Sequence, residues 1–167
     1  MKSTLSEHWM KATITTTPLP KQPLTSYLAG ICVKIQSLDK DIRFVGIADY
    51  AGELMSSYYR SGLRPLMDID ETAQYALQTV FRAKTRGGFT PRLGDQSYAV
   101  TTYQRLIRAT ITIQSRGGEH HNLYVLVSLD KGASYPYILE HKIIPFITRI
   151  KDQLFLHTSA ISKKYKD

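Results

Sequence analysis

The chain has 167 residues, 43% of them apolar, which fits one globular domain that needs no disulfide or metal in order to fold. A single cysteine, Cys32, excludes an intramolecular disulfide. There is no secretory signal and no apolar run of about 20 residues to span a bilayer, so the sequence predicts a cytoplasmic protein.

The net charge of +8 is concentrated in one part of the chain. Between Arg82 and Arg116 there are seven basic side chains and one acidic side chain. This asymmetry indicates either an anionic partner or a solvated surface that aids solubility.

Residues 1–23 predict an extended or flexible arm, because they contain three prolines and an X-Pro step favours extended backbone. Within the arm, residues 12–16 have the composition of an edge strand, which would let Trp9 and Ile14 pack on the body. The compact domain is expected over residues 24–157, followed by a frayed basic tail at 158–167.

Apolar residues at helical spacing predict a first helix over residues 24–39, with Cys32 packed beside its apolar stripe rather than exposed as a reactive thiol. Residues 42–48 then predict a strand that is apolar on both faces and therefore central. One face carries Ile42, Phe44, Gly46 and Ala48, and the other carries Val45 and Ile47. Asp49–Gly52 predicts a tight turn, and residues 53–60 a more polar second strand.

Asp68 is a good N-cap for a second helix, and Glu71 three residues later completes a capping box. The predicted apolar stripe consists of Ala73, Leu77, Val80 and Phe81, with Ala76 beside it. Gly87-Gly88 is expected to end this helix, after a basic last turn that favours the helix dipole.

A loop through Pro91 leads to three further strands, at residues 97–103, 106–114 and 122–129. The fourth strand alternates, so that Ile107, Ala109, Ile111 and Ile113 face a core. The fifth strand is apolar on both faces, which predicts a second central strand.

Ser134 is expected to cap a final helix, and Pro145 within it predicts a kink or a break. The apolar stripe of this helix consists of Leu139, Ile143, Phe146, Ile147, Ile150 and Leu154.

The sequence thus predicts an α+β domain in the order α-β-β-α-β-β-β-α, with helices on both faces of a five-stranded antiparallel sheet. Strand order 2-1-5-4-3 places the two doubly apolar strands at and beside the centre. This architecture is similar to the roadblock (dynein light chain) and longin folds of the profilin-like group. The hairpin at residues 44–54, with its Asp-x-x-Gly turn, and Leu93-Gly94 before the third strand resemble roadblock sequences. The chain also resembles small archaeal proteins of this class.

The resemblance implies a non-enzymatic module that dimerises and serves as a scaffold or regulator of a small GTPase or another signalling partner. Roadblock proteins pair their third strand and pack their second helix across a two-fold axis. Carried over to this chain, the dimer interface would contain Thr72, Ala73, Ala76, Val80, Tyr98, Val100 and Tyr103.

Two groups of residues that could bind a metal ion have simpler structural explanations. Asp68, Asp70 and Glu71 have oxygens for a divalent cation, but acids at a helix start are typical of capping. Glu119-His120-His121 offers metal donors, but neighbours on a strand point to opposite faces, so we expect an exposed turn. His141 and His157 are expected on solvent faces. No phosphate-binding loop and no catalytic triad signature is present, so the sequence predicts no enzyme, metal or cofactor.

Two alternatives remain open at this stage. One is a nucleic-acid-binding module, with tyrosines such as Tyr50, Tyr58, Tyr59, Tyr98 and Tyr103 stacking on bases. Its phosphate contacts would come from Arg82, Arg86, Arg92, Arg105, Arg108 and Arg116. The other is a small-molecule sensor with a pocket between sheet and helix, by analogy with the fold alone. The tyrosines fit a protein interface or partial burial in the monomer equally well.

Overall fold

The structure, a computed structural model, describes residues 23–162, with side-chain surroundings for residues 23–158. The predictions for residues 1–22, including those for Trp9 and Ile14, lie outside the described residues, as does the chain after Ser162. Within the described part, no helix is long and apolar enough to cross a membrane.

The described residues form five strands and five α-helices. The strands are β1 (Ile42–Ala48), β2 (Leu54–Tyr59), β3 (Ala99–Thr102), β4 (Leu106–Ile113) and β5 (Leu123–Asp130). The helices are α1 (Leu24–Gln36), α2 (Ile69–Gly87), α3 (Thr90–Leu93), α4 (Tyr135–Tyr137) and α5 (Ile144–Ser162). A 3₁₀ turn at Glu119–His121 precedes β5, and a π-helical segment at Ile138–Ile143 joins α4 to α5.

The strands form one sheet in the order β2-β1-β5-β4-β3, with every neighbouring pair antiparallel. This confirms the predicted topology. The two doubly apolar segments lie side by side in the middle, where Val45 is paired with Val127. Both strands are buried along almost their whole length, because helices cover both faces of the sheet at this point.

The two faces of the sheet are covered to different extents. On one face α1, the π-helical segment and α5 enclose the main core, which draws residues from β1, β4 and β5. On the other face α2 packs over β1 and β5 and also reaches β2 and β4, in a smaller cluster whose buried members are Phe44, Ala48, Ala76, Val80, Ala83, Tyr124 and Leu126. This cover thins out toward β3, where Thr101, the pairing partner of Arg108 in β4, is exposed.

Several boundaries of helices and strands differ from expectation, as does the face of the sheet on which Ile42 lies. α1 ends at Gln36 rather than at residue 39, β2 and β3 are shorter than predicted, and the predicted loop at Pro91 contains the short helix α3. Ile42 belongs to the main core with Val45 and not to the face of Phe44, since the pairing register with β5 shifts between Ile42 and Phe44.

The apolar stripe predicted for α2 was partly wrong. Leu77 is 52% exposed and Phe81 is 69% exposed, whereas the smaller residues Ala76 and Val80 face the sheet. The sheet surface beneath α2 already carries two large side chains, Phe44 and Tyr124, so a close approach of the helix suits small residues.

The predicted capping box of α2 is present. The Asp68 carboxylate accepts a hydrogen bond from the Glu71 backbone N–H at 2.8 Å, and the Glu71 carboxylate accepts one from the Asp68 N–H at 3.0 Å. Asp68 and Glu71 therefore cap the start of α2. Residues 23–158 contain no group of three or more His, Cys, Asp or Glu side chains able to hold a metal ion. Glu119–His121 forms the expected exposed turn.

The start of the last helical region differs from prediction. Ser134 makes no side-chain capping hydrogen bond, so it does not have its expected role. The helix is not broken at Pro145 but continues to Ser162, past the expected domain end at residue 157. The irregularity lies in the π-helical segment just before Pro145, where wider turns replace the α-helical ladder that a proline interrupts.

Candidate protein-interaction surface

The strand β3 forms one open edge of the sheet. The Tyr103 N–H donates to the Leu106 carbonyl at 2.9 Å, so alternate residues upstream of Tyr103 also face β4. The backbone N–H and C=O groups of Val100 and Thr102 consequently point away from the sheet. In the described part of the chain no strand pairs with this edge. Such a row of unpaired groups is a template for pairing with another strand.

The helix α2 has two different flanks. On the side of β4, the Tyr75 ring stacks on Arg108, whose guanidinium carbon lies 3.8 Å from the ring centroid, and Arg82 approaches the same ring at 5.8 Å. On the opposite side, Leu77 lies against the β1–β2 turn at Gly52. Because successive residues on a helix are about 100° apart, Tyr75 and Arg82 share their flank with three further residues. These are Glu71, Gln78 and Arg86.

This flank, on the side of β4, is ordered by charge. Glu71 lies in the acidic first turn of α2, and Arg86 lies in its basic last turn. Arg82 makes one described hydrogen bond, to the Thr79 hydroxyl at 3.3 Å, so its charge is not neutralised within this part of the chain.

The predicted interface residues do not share one surface. Ala76 and Val80 are 0% and 1% exposed, so they pack on their own sheet and are not accessible to a partner. The Thr72 hydroxyl lies 3.2 Å from the Tyr59 hydroxyl, and Tyr98 donates to Glu140 at 2.7 Å. Of the others, Ala73 is exposed, Val100 packs partly on the main core, and Tyr103 is exposed at the β3–β4 turn.

A groove lies between the loop that precedes α2 and the β3–β4 turn. We call it the basic groove; its lining includes Leu66, Met67, Tyr75, Tyr103, Arg105 and Arg108. Leu66 and Tyr103 expose apolar surface at its mouth. The Arg108 guanidinium forms part of the wall, donating to the Met67 sulfur at 2.9 Å.

The structure does not bring all six arginines of the predicted anion patch together. Arg82 and Arg108 meet at the Tyr75 ring, and Arg105 lines the basic groove with Arg108. Arg86 and Arg92 lie farther along, at the end of α2 and in α3. Arg116 lies apart, 3.7 Å from Asp152 of α5 on the other face of the sheet.

One charged cluster was missed by sequence reasoning. Asp130, at the end of β5, forms ion pairs of 2.7 Å with both Arg43 and Arg60. The hydrogen bond from Arg60 is the main cause that lowers the pKa of Asp130 below its usual value. Lys142 likewise forms a 2.7 Å ion pair with Asp39. All three ion pairs join elements distant in sequence, and no local pattern indicates them.

Cys32 and the histidines show no reactive arrangement. Cys32 is fully buried, and burial raises the pKa of its thiol to about 11, so the predicted packing role is confirmed. His141 is exposed as expected. His157 is not on an open solvent face, because its ring stacks on Tyr27 at 3.7 Å between centroids.

The small-molecule alternative gains no support from the core. Ser128 and Thr79 are buried polar residues, and every buried side-chain nitrogen or oxygen of the described residues has a hydrogen-bond partner. No fully buried side-chain donor or acceptor is therefore left unpaired in this part of the chain.

The fold is that of the roadblock, or longin-like, class: a five-stranded antiparallel sheet in the order 2-1-5-4-3 with helices on both faces. No family model and no curated protein matches the sequence.

The chain is similar to several solved structures. A structure described as MglB with a tetrameric arrangement superposes with a TM-score of 0.61 at 9% identity, covering 83% of this chain and 97% of that one. Myxococcus xanthus MglB gives 0.58 at 16% identity, with 82% and 96% covered. The Roadblock/LC7 domain from Streptomyces avermitilis gives 0.54 at 10% identity, with 72% and 94% covered. At these identities the likeness establishes the fold.

Proposed function

We propose that the protein is a non-catalytic homodimeric scaffold that holds or regulates a small GTPase. The observation that carries the proposal is the surface formed by the open β3 edge, the partly covered face of β4 and the charged flank of α2. Each of these features is incomplete in one chain, and a second copy related by a two-fold axis completes all three.

The β3 edge supplies the backbone part of this contact. Antiparallel pairing of β3 with its copy satisfies the outward-pointing groups of Val100 and Thr102 and makes one sheet of ten strands. It also brings the two α2 helices side by side over the joined sheet. An isologous contact of this kind closes on itself and removes the exposed edge.

The charge order of α2 suits an antiparallel pair of helices. When two copies of α2 run antiparallel, the acidic first turn of one meets the basic last turn of the other. In one such register Glu71 faces the partner's Arg86. This contact occurs twice in the dimer, so like charges are kept apart and opposite charges are paired.

The contact is tested by exchanging the charges. We expect Glu71→Arg and Arg86→Glu each to shift a light-scattering mass toward the monomer, and the double variant to recover the dimer. Glu71→Arg also removes a helix cap, but the double variant lacks that cap too, so recovery reports the charge pairing. Asp70→Arg, in the same turn but on the other flank, is the matched control and should leave the mass unchanged. Equal masses for all four variants would argue against this contact.

The GTPase part of the proposal is supported by the roadblock-like fold. Its test is a binding series with purified small GTPases from the source organism, each loaded with GDP or with a non-hydrolysable GTP analogue. We expect at least one to bind the dimer in one nucleotide state in preference to the other. If none binds in either state, the scaffold has another kind of partner.

A further inference from the structure

The basic groove is built entirely within one subunit. Its lining comes from the loop before α2, from Tyr75 of α2, from the β3–β4 turn and from the start of β4. The exposed apolar surface at its mouth belongs to Leu66 and Tyr103. Lys131 adds a further cation at the turn, where its ammonium donates to the Tyr103 carbonyl at 2.5 Å.

Within residues 23–158 the arginines of the groove form no ion pair. Neither Arg105 nor Arg108 belongs to an ion pair among the described residues, although Arg108 is half-buried. Its contacts there are the Tyr75 ring and the Met67 sulfur, both weak partners for a guanidinium. A charge that has lost part of its water without gaining a counter-ion is costly, and an incoming anion relieves that cost.

The groove therefore combines a positive wall with an apolar mouth. We infer that it docks a short acidic segment of a partner protein, one that carries an apolar side chain beside its carboxylates. A carboxylate fits the forked guanidinium of Arg108 and is reinforced by Arg105. The neighbouring apolar side chain packs on Leu66 and Tyr103, which makes it the anchor.

The surroundings favour a peptide over a nucleic-acid strand. Phosphates recur along a strand and need a matching row of cations, whereas Leu66 and Tyr103 expose apolar surface beside the two groove arginines, and Arg116 lies near α5 on the other face of the sheet. An acidic segment with one anchor needs only the two arginines and the apolar mouth.

The inference deepens the scaffold proposal by naming the partner's docking chemistry, and it rests on that proposal only for the existence of a protein partner. Because one subunit forms the groove, a monomeric variant such as Glu71→Arg should still bind the peptide. Failure of dimerisation and failure of docking are therefore separate results.

The test is selection of peptides from a displayed random library against the full chain, followed by fluorescence anisotropy with the selected peptides. We expect a consensus of Asp or Glu next to Leu, Phe or Trp. Arg108→Gln should weaken binding by about tenfold or more, since it removes a charged contact to the ligand. Arg105→Gln, at an exposed turn where folding is not at risk, should weaken it less. Arg92→Gln in α3 is the matched control and should bind as the wild type does.

Three outcomes would overturn the inference. One is a selection that yields no peptide dependent on Arg108. Another is a consensus without acidic residues. The third is displacement of the selected peptides by a single-stranded oligonucleotide that itself requires Arg105 and Arg108, which would assign the groove to nucleic acid.

Discussion

Replacing Gly52 with alanine probes how α2 is held against the β1–β2 turn. Gly52 has a φ of +86°, a conformation that costs a residue with a Cβ about 1–2 kcal/mol. An added Cβ would also lie 2.9 Å from the Leu77 Cα, a backbone atom that cannot rotate away. Forcing extra atoms into packed structure costs about 1–3 kcal/mol more. Alanine also restricts the unfolded chain, which stabilises the folded state by about 0.4–1 kcal/mol.

The net expectation for Gly52→Ala is a loss of about 2–4 kcal/mol in the free energy of unfolding. For a domain of this size that is a fall in Tm of roughly 6–12 °C. The matched control is Gly62→Ala, because Gly62 has a φ of +74° but no atom within 4 Å of an added Cβ. It should lose only about 1 kcal/mol, the backbone part alone.

Urea unfolding followed by circular dichroism, at one protein concentration, measures both variants. The difference between them isolates the contact between the turn and α2. If the two losses are equal, or if Gly52→Ala is the milder change, then α2 does not lie against Gly52 and the placement of its flanks is wrong.

Three further changes test other parts of the structure. Gly30→Ala should raise the free energy of unfolding by about 0.5–1 kcal/mol in a urea titration, since Gly30 lies inside α1 with open space at its Cβ position; destabilisation would contradict this. Asp130→Asn should lower it by about 1–2 kcal/mol at pH 7. Because the folded pKa of Asp130 is depressed, its contribution holds above about pH 4 and fades as the pH falls through the folded pKa, so the two titrations should converge in acid. Cys32 should react with iodoacetamide at pH 8 far more slowly in the native protein than in urea, and equal rates would show that the thiol is accessible.

The sequence predicts the topology well because its strongest signals are local. A strand that is apolar on both faces needs cover on both sides, and the segments around Val45 and Val127 are the clearest examples. The start of α2 is predicted equally well, since Asp68 and Glu71 form their capping box within one turn.

The sequence predicts the orientation of α2 on the sheet less well. Periodicity shows that the helix is amphipathic, but Leu77 and Phe81 look like core residues until the sheet beneath is known. That sheet is already filled by Phe44 and Tyr124, so the smaller Ala76 faces inward and the larger residues face outward. Packing between distant segments decides this, and a single helix pattern does not contain it.

The candidate interaction surface also has one part that local sequence signals predict and one part that depends on contacts between distant segments. The open β3 edge follows from the predicted strand order, whereas the basic groove does not. Arg108 was predicted to face away from the core, and it does, but its contacts with Tyr75 and Met67 depend on how the loop before α2 crosses to β4. Likewise, Asp130 and Arg43 are 87 residues apart, and only the folded sheet brings them together.

Sedimentation velocity of the full chain across the micromolar range tests the central claim most directly. Pairing at the β3 edge predicts a species of twice the 19.0 kDa chain mass. It also predicts that Thr102→Pro converts this species to a monomer, since proline removes an outward-pointing donor without breaking the pairing with β4. A wild-type chain that sediments as a monomer throughout the range, or a Thr102→Pro variant that remains dimeric, would contradict the account.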